Sequence, residues 1–147
     1  MNFVIGSDHA GFETKEAIRR EMIAWGLAVE DAGVFDTSPA DYPDIAKVVA
    51  SKVCANPGTM GVLVCGSGVG MSIVANRFRG VRAALSFNVE VAELCRRHND
   101  ANVLVLPGRF LSLDEALRMV RAWVDTPFDG GRHQRRLDKI AALDRER

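Results

Sequence analysis

The chain contains the segment MGVLVCGSGVGMS at residues 60–72, and this segment decides the fold class. Its first part, Met60 to Cys65, is an apolar run of strand length. The next five residues, 66–70, carry three glycines at alternate positions, and a helical pattern then runs to about Phe78. A buried strand that ends in a glycine-rich turn and leads into a helix is typical of a βα unit in a parallel sheet.

Apolar runs and helical patterns alternate on both sides of this segment. We expect four further strands, at Phe3–Gly6, Leu27–Glu30, Val81–Ser86 and Val103–Leu106. Further helices are predicted at about Gly11–Trp25, from the Pro39–Pro43 loop to Asn56, at Val89–His98, at Leu113–Asp125 and from about 130 to 147. Five parallel strands joined by helices predict a Rossmann-like, three-layer α/β/α sandwich plus a C-terminal helix, in one domain spanning 1–147. The strand order stays open, except for a switch point near strands one and three.

Composition excludes several function classes. The 19 basic and 19 acidic residues give a net charge of zero, so we expect neither a nucleic-acid nor a membrane partner. The first residues lead directly into a strand, without a basic signal region, which favours the cytoplasm. The three cysteines are an odd number and are expected to be free thiols, with Cys54 and Cys95 on apolar helix faces. The three histidines have no zinc-ligand spacing, so we expect no metal.

Two turns occupy the edge of the sheet where ligands of parallel α/β folds bind, namely 6–11 after strand one and 65–72 after strand three. In the second turn, alternate glycines allow successive backbone N–H groups to converge on a negative charge. It is not a Walker A loop, because no lysine follows Gly70. It is neither a dinucleotide fingerprint nor a thiol-phosphatase loop, because Met71 stands where each motif needs its last glycine or its arginine. The alternative is a strand-to-helix turn that simply requires glycine.

Cys65 is the most reactive side chain of this turn. A thiol beside backbone donors suits a catalytic base next to an oxyanion hole, and a helix N-terminus would lower the pKa of the thiol. The alternative is a buried, inert cysteine. At the end of strand one, Asp8 can accept from a hydroxyl and His9 can meet an anion. Their alternative roles are a capping carboxylate and a solvent-facing imidazole.

His98 and the C-terminal arginines form a second group of candidates. His98 ends an apolar helix stripe just before strand five, which places it at the amino edge of the sheet, opposite Cys65. The two residues could then act together only across a symmetric dimer. Arg132 and Arg136 lie one helical turn apart and are shaped to grip a phosphate. The alternative role of His98 is that of a core histidine, and the alternative for the arginines is a solvated basic face. Arg109 after strand five is open to the same two interpretations as these arginines.

Together these motifs resemble the ribose-5-phosphate isomerase B family, which includes the allose- and galactose-6-phosphate isomerases. The resemblance runs nearly end to end and is carried by five ordered segments: 6–12, 41–43, 65–70, 97–100 and 130–136. One branch of the family replaces the cysteine with a glutamate a few residues further on. That position is Met71 here, which leaves Cys65 as the consistent candidate, while Ser67 stands where many members have threonine.

The resemblance implies a role for each matching residue. Cys65 resembles the base that moves a proton between C1 and C2, and His98 the residue that opens the sugar ring. Ser67 resembles the hydroxyl that holds the enediolate oxygens together with the turn Gly66, Gly68, Val69 and Gly70. The remaining matches are substrate contacts: Asp8 and Asn99 on sugar hydroxyls, Tyr42 on the pocket wall, and His9, Arg109, Arg132 and Arg136 on the phosphate and substrate.

The implied activity is a cofactor-independent interconversion of aldose and ketose phosphates, with ribose 5-phosphate and ribulose 5-phosphate as the expected pair. A four- or six-carbon sugar phosphate (erythrose 4-, allose 6- or galactose 6-phosphate) is the alternative within the enzymes. A non-catalytic sugar-phosphate or nucleotide-binding module is the alternative of a different class. The family also implies a homodimer or a dimer of dimers with shared active sites, and we expect the C-terminal helix to pack on a partner subunit.

Overall fold

The protein, described here over residues 1–147 by a computed structural model, contains five strands and six α-helices. The strands are β1 (Asn2–Ser7), β2 (Ala28–Asp31), β3 (Thr59–Cys65), β4 (Ala83–Leu85) and β5 (Val103–Pro107). The helices are α1 (Phe12–Ala24), α2 (Tyr42–Ala55), α3 (Val69–Ala75), α4 (Val89–Asn99), α5 (Leu113–Asp125) and α6 (Arg132–Glu146), with a 3₁₀ turn at Gly108–Phe110. All five strands expected from the sequence are present, so the predicted α/β class is confirmed.

The sheet is parallel throughout, with the strand order β2-β1-β3-β5-β4. From β1 the chain moves outward to β2, and from β3 it moves to the other side, so the predicted switch point lies between β1 and β3. The register pairs Ser7 with Val64. The next residue of each chain segment, Asp8 after Ser7 and Cys65 after Val64, therefore reaches the carboxyl edge beside the other.

Helices cover both faces of the sheet. Helices α1, α4 and α5 pack on one face, around Ile18, Met119 and Trp123, and Trp123 also meets Phe3 edge-on with ring centroids 6.1 Å apart. Helices α2 and α3 pack on the other face, around Val49 and Met71. These two clusters form the core layers of the predicted sandwich.

Two elements are shorter than predicted. Helix α3 ends at Ala75, before the expected Phe78, because the N–H groups of Arg77 and Phe78 donate to the carbonyls three residues back, of Val74 and Ala75, in tighter turns than those of an α-helix. Strand β4 begins only at Ala83, because the Arg82 N–H donates to the side chain of Asn102.

The C-terminal helix α6 packs partly on α4 and leaves an open groove of about 560 Å³ beside β4. Ile140 and Leu143 line this groove and are 45% and 58% exposed. That α6 packs on a partner subunit stays a prediction. No helix is long and apolar enough to span a bilayer.

The expectation for the helical cysteines is half right. Cys95 is buried, but Cys54 is exposed. Cys54 lies one residue beyond Val53, whose side chain faces the sheet, and the 100° step along the helix turns the Cys54 side chain to solvent.

Candidate active site

The turn between β3 and α3 is shaped by one glycine in a left-handed conformation. Gly68 has φ +77°, and a Cβ there would lie 2.5 Å from the Leu85 side chain. Glycine is therefore required at this position both by conformation and by space. The turn wraps the main chain of 66–70 around the end of β3, directly beside the Cys65 side chain.

Cys65 is 5% exposed, and burial raises the pKa of its thiol. The main-chain N–H groups of Met71, Gly68 and Ser67 act in the opposite direction, and the nearby Asp8 carboxylate raises the pKa further. The sequence-based expectation of a lowered pKa is wrong for this structure, because the cost of removing a thiolate from water exceeds the stabilisation from the amides. The predicted contact between the thiol and the amides is nevertheless present.

Asp8 and Ser67 flank this sulfur. Asp8 is largely buried, and its Oδ1 accepts from the N–H of Gly11 at 3.0 Å, which fixes the carboxylate at the end of β1. Ser67 is exposed, and its Oγ accepts from the N–H of Val69 at 3.3 Å. The Ser67 hydroxyl proton is therefore free to be donated to a ligand above the turn.

Three further predicted residues surround the same turn. Tyr42, the first residue of α2, lies over Gly70. Arg109 lies against Gly66, and its N–H donates to the Gly66 carbonyl at 3.0 Å. His9 is exposed, and its Nδ1 accepts from the N–H of Ala40 at 3.1 Å, which leaves Nε2 free toward solvent. These residues and the turn form what we call the carboxyl-edge half-site: Asp8, His9, Tyr42, Cys65, residues 66–70 and Arg109.

The other predicted residues lie at the opposite edge of the sheet. Helix α4 runs against the strands and ends with His98 and Asn99, and Asp100 in the left-handed conformation (φ +45°) closes it. The Asp100 carboxylate is held by Arg96 at 2.9 Å and by Arg82 at 3.3 Å. The first turns of α6 lie beside this helix end and present Arg132 and Arg136 to solvent. We call this group the amino-edge half-site: His98, Asn99, Arg132 and Arg136.

The two half-sites cannot meet within one chain. The carbonyl of Asn102, just past α4, accepts from the N–H of Gly61 near the start of β3, whereas Cys65 ends β3. Four residues of strand separate Gly61 from Cys65, which corresponds to about 13 Å. The structure therefore places His98 opposite Cys65, as the topology predicted. It also separates Arg109 and His9 from Arg132 and Arg136 of α6, although the family resemblance implies that all four residues bind the phosphate and substrate.

Sequence reasoning gave no role to His133. Its ring is buried (6% exposed) and stacks on His98 with centroids 4.4 Å apart and planes 14° from parallel. Burial, followed by the charges of His98 and Arg132, lowers the pKa of His133. The only signal in the sequence is its position between Arg132 and Arg136, because residues 98 and 133 are distant along the chain.

The same cluster brings together three groups that could ligate a metal. Ligand atoms of His98, Asp129 and His133 lie within 4.8 Å of one another. The two imidazole planes are nearly parallel, however, so their lone pairs do not converge on one point. The neighbouring guanidiniums of Arg132 and Arg136 also favour an anion over a cation. The geometry thus suits an anionic ligand better than a metal ion.

Comparison with known proteins adds a family to this geometry. Residues 3–140 match the family model of the ribose/galactose isomerases. The chain is 40% identical to the ribose-5-phosphate isomerase B of Escherichia coli over 142 residues, which cover 97% of this chain and 95% of that one.

Solved structures agree with this match. The Thermotoga maritima ribose 5-phosphate isomerase is 48% identical, with a TM-score of 0.92 and coverage of 96% of this chain and 97% of that one. The Mycoplasma genitalium ribose-5-phosphate isomerase B, solved with bound ribulose 5-phosphate, is 40% identical, with a TM-score of 0.96 and coverage of 99% and 97%. The end-to-end match in sequence and fold shows that the chain belongs to the ribose/galactose isomerase family.

Proposed function

We propose that the protein is a cofactor-independent isomerase that interconverts ribose 5-phosphate and ribulose 5-phosphate. The observation that carries the proposal is that the two half-sites hold different chemical groups. One holds a thiol among backbone amides, which suits proton transfer at carbon, and the other holds an imidazole beside paired guanidiniums, which suits a phosphorylated sugar. The relatives named above support this substrate.

Ring opening is the first step for the cyclic aldose. His98 donates a proton to the ring oxygen as the bond from that oxygen to C1 breaks. The C1 hydroxyl gives its own proton to a carboxylate, for which Asp8 is held in place by Gly11. The product is the open-chain aldehyde. Asn99, next to His98 at the end of α4, is exposed and available to a sugar hydroxyl.

Proton transfer between carbons follows at the other half-site. The Cys65 thiolate removes the C2 proton, and the electron pair forms the C1–C2 double bond while negative charge moves to O1. The amides of 66–70 and the Ser67 hydroxyl stabilise this cis-enediolate. A proton then passes from O2 to O1, and as the C2–O2 double bond forms, C1 takes back the proton from the Cys65 thiol, which gives the ketose. Donors aimed at charge that develops only in the transition state are often worth about 3–4 kcal/mol each.

Phosphate binding supplies energy away from the reacting carbons. Arg132 and Arg136 present two guanidiniums from successive turns of α6, and His9 and Arg109 border the other half-site. Since this grip is equally strong in the ground state and the transition state, we expect it to set KM more than kcat.

Catalysis requires two chains in this proposal, because one chain places Cys65 and His98 at opposite edges of the sheet, separated by about 13 Å of strand. We propose a homodimer, or a dimer of dimers, in which each site combines the carboxyl-edge half-site of one chain with the amino-edge half-site of the other. The exposed Val69 and Ile73 of α3, beside the Cys65 turn, give this interface an apolar surface. We place the enzyme in the cytoplasm and in the pentose phosphate pathway, where its three unpaired cysteines would stay reduced.

Mixing two variants that are each inactive on ribose 5-phosphate tests the shared site, with ribose 5-phosphate as the substrate. Cys65→Ala and His98→Asn chains, unfolded together and refolded at equal amounts, form mixed dimers in which one of the two sites is intact. We expect about a quarter of wild-type activity, since about half of the dimers are mixed and half of their sites work. Each variant refolded alone is the control. Activity no higher than in these controls would show that the site lies within one chain.

A substrate panel tests the sugar. We expect the highest kcat/KM for ribose 5-phosphate among erythrose 4-, ribose 5-, allose 6- and galactose 6-phosphate. A higher value for a four- or six-carbon phosphate would reassign the substrate. Binding of a sugar phosphate without turnover of any panel member would favour the non-catalytic module.

A further inference from the structure

The stack of His133 on His98 is built into the fold. His133 lies in the first turn of α6, where its N–H donates to the carbonyl of Gly130 at 3.1 Å, and its side chain is buried. The preceding loop is tied to α4, because the N–H of Asp129 donates to the carbonyl of Arg97 at 3.0 Å. Backbone hydrogen bonds therefore fix both His133 and the loop before it, whereas His98 itself is only partly buried.

Burial and the charges that face His133 disfavour the protonated form of its ring. Burial, then the charge of His98, then those of Arg132 and Arg136 lower the pKa of His133. Asp129 is the one opposing charge, and its carboxylate is already paired with Arg97 at 3.3 Å. Two stacked imidazolium ions would repel each other, so a neutral His133 is the state in which His98 can carry a proton.

We propose that His133 is a positioning residue for ring opening, whose imidazole holds the ring of His98 in a fixed plane toward the sugar. The terminal torsion of a histidine is broad, so a partly exposed His98 without a neighbour would sample many orientations. A flat, anchored ring 4.4 Å away removes that freedom. The inference rests on the proposed role of His98, and its test separates the two.

A positioning role of this kind affects only the conversion of aldose to ketose, because only the aldose enters the site as a closed ring. Ribose 5-phosphate is cyclic in water and must be opened. Ribulose 5-phosphate is open-chain, because the hydroxyl that could close a five-membered ring onto its C2 carbonyl carries the phosphate. The ketose therefore starts directly at the Cys65 half-site, and the open-chain aldose that it yields can cyclise in solution after release.

The experiment compares both directions in three variants. We expect His133→Ala to lower kcat on ribose 5-phosphate by about tenfold or more, with KM changed less than about twofold. The rate from ribulose 5-phosphate should change less than about threefold. His133→Phe keeps a flat ring of similar size and should restore the aldose direction to within about threefold of wild type. Gln134→Ala, at the exposed next position of α6, is the matched control and should leave both directions unchanged.

Two results would overturn the inference. One is an equal loss in both directions for His133→Ala, and the other is a folded His133→Phe protein that remains as slow as His133→Ala. Should His133→Ala fail to fold, His133→Leu replaces it, because leucine fills the buried position without offering a flat ring.

His98→Asn, assayed alongside, distinguishes the role of His133 from the role of His98. A loss for His98→Asn confined to the aldose direction, without such a loss for His133→Ala, refutes only the role of His133. Equal losses for His98→Asn in both directions refute the proposed ring-opening role of His98 itself.

Discussion

The ring of Tyr42 covers Gly70 so closely that a methyl group on Gly70 would lie 2.5 Å from the ring atoms Cε2 and Cζ. Tyr42 begins α2, whereas Gly70 belongs to the amide turn beside Cys65. The contact therefore joins the pocket wall to the oxyanion hole. It also explains why glycine is needed at position 70, where φ lies outside the left-handed region that favours glycine.

Gly70→Ala should reduce activity more than stability. Tyr42 is 41% exposed and can swing outward, so we expect the free energy of unfolding to fall by less than about 1 kcal/mol. The displaced ring opens the pocket, and kcat/KM should fall about tenfold or more. A double-mutant cycle with Tyr42→Ala checks the cause. If Tyr42 transmits the effect, adding Gly70→Ala to the Tyr42→Ala variant changes kcat/KM little. Additive losses of kcat/KM would contradict this account.

The pH dependence of proton transfer should follow the Cys65 thiol. Burial raises the pKa of this thiol, so the reactive thiolate is a minor form at neutral pH, and its fraction grows as pH rises. In the ketose direction, which bypasses ring opening, kcat/KM should therefore increase steadily between about pH 7 and pH 9. The Cys54→Ser variant, which removes the exposed thiol, should show the same profile. A rate that is flat or falls over this interval would exclude Cys65 as the base.

Arg136→Ala should weaken substrate binding with little effect on the chemical step. A charge-assisted hydrogen bond is worth about 1.5–3 kcal/mol, so we expect KM for ribose 5-phosphate to rise about tenfold or more, with kcat nearly unchanged. Steady-state kinetics checks this. Arg145→Ala is the matched control, because Arg145 is also an exposed arginine of α6 but lies more than two turns beyond Arg136, on the opposite side of the helix. An unchanged KM for Arg136→Ala would assign the phosphate to other residues.

Lys15 is fully buried and ties the loop after β2 to α1. Its Nζ donates to both carboxylate oxygens of Asp31 at 2.8 Å and to the carbonyl of Val34 at 2.6 Å. Lys15→Met removes the cation but leaves the Asp31 carboxylate partly buried, and we expect the free energy of unfolding to fall by about 3 kcal/mol.

Denaturant unfolding measures this loss. Lys47→Met, at an exposed position of α2, should stay within about 0.5 kcal/mol of wild type. A Lys15→Met protein as stable as the Lys47→Met control would show that the buried lysine contributes no net stability.

Local patterns in the sequence were sufficient to predict the strands and helices and the carboxyl-edge half-site around Cys65. Alternating apolar runs predict the five strands, because burial on both faces of a parallel sheet demands continuous apolar residues. The alternate glycines of 66–70 predict the amide turn beside Cys65, since backbone approach requires the absence of a side chain. Even the separation of Cys65 from His98 follows from element order, because a helix that returns from one edge must end at the other.

Tertiary structure alone decided the rest, because burial and contact between distant residues depend on how the elements pack. Lys15 shares a helix stripe with Ile18 and Met22, yet only the packing of α1 against the end of β2 supplies the Asp31 carboxylate that permits its burial. The amides of the turn were expected to lower the pKa of Cys65. The pKa is raised instead, because burial in the surrounding core outweighs the effect of these amides. The His98–His133 stack joins two helices whose sequences carry no sign of each other, and only their packing brings the rings together.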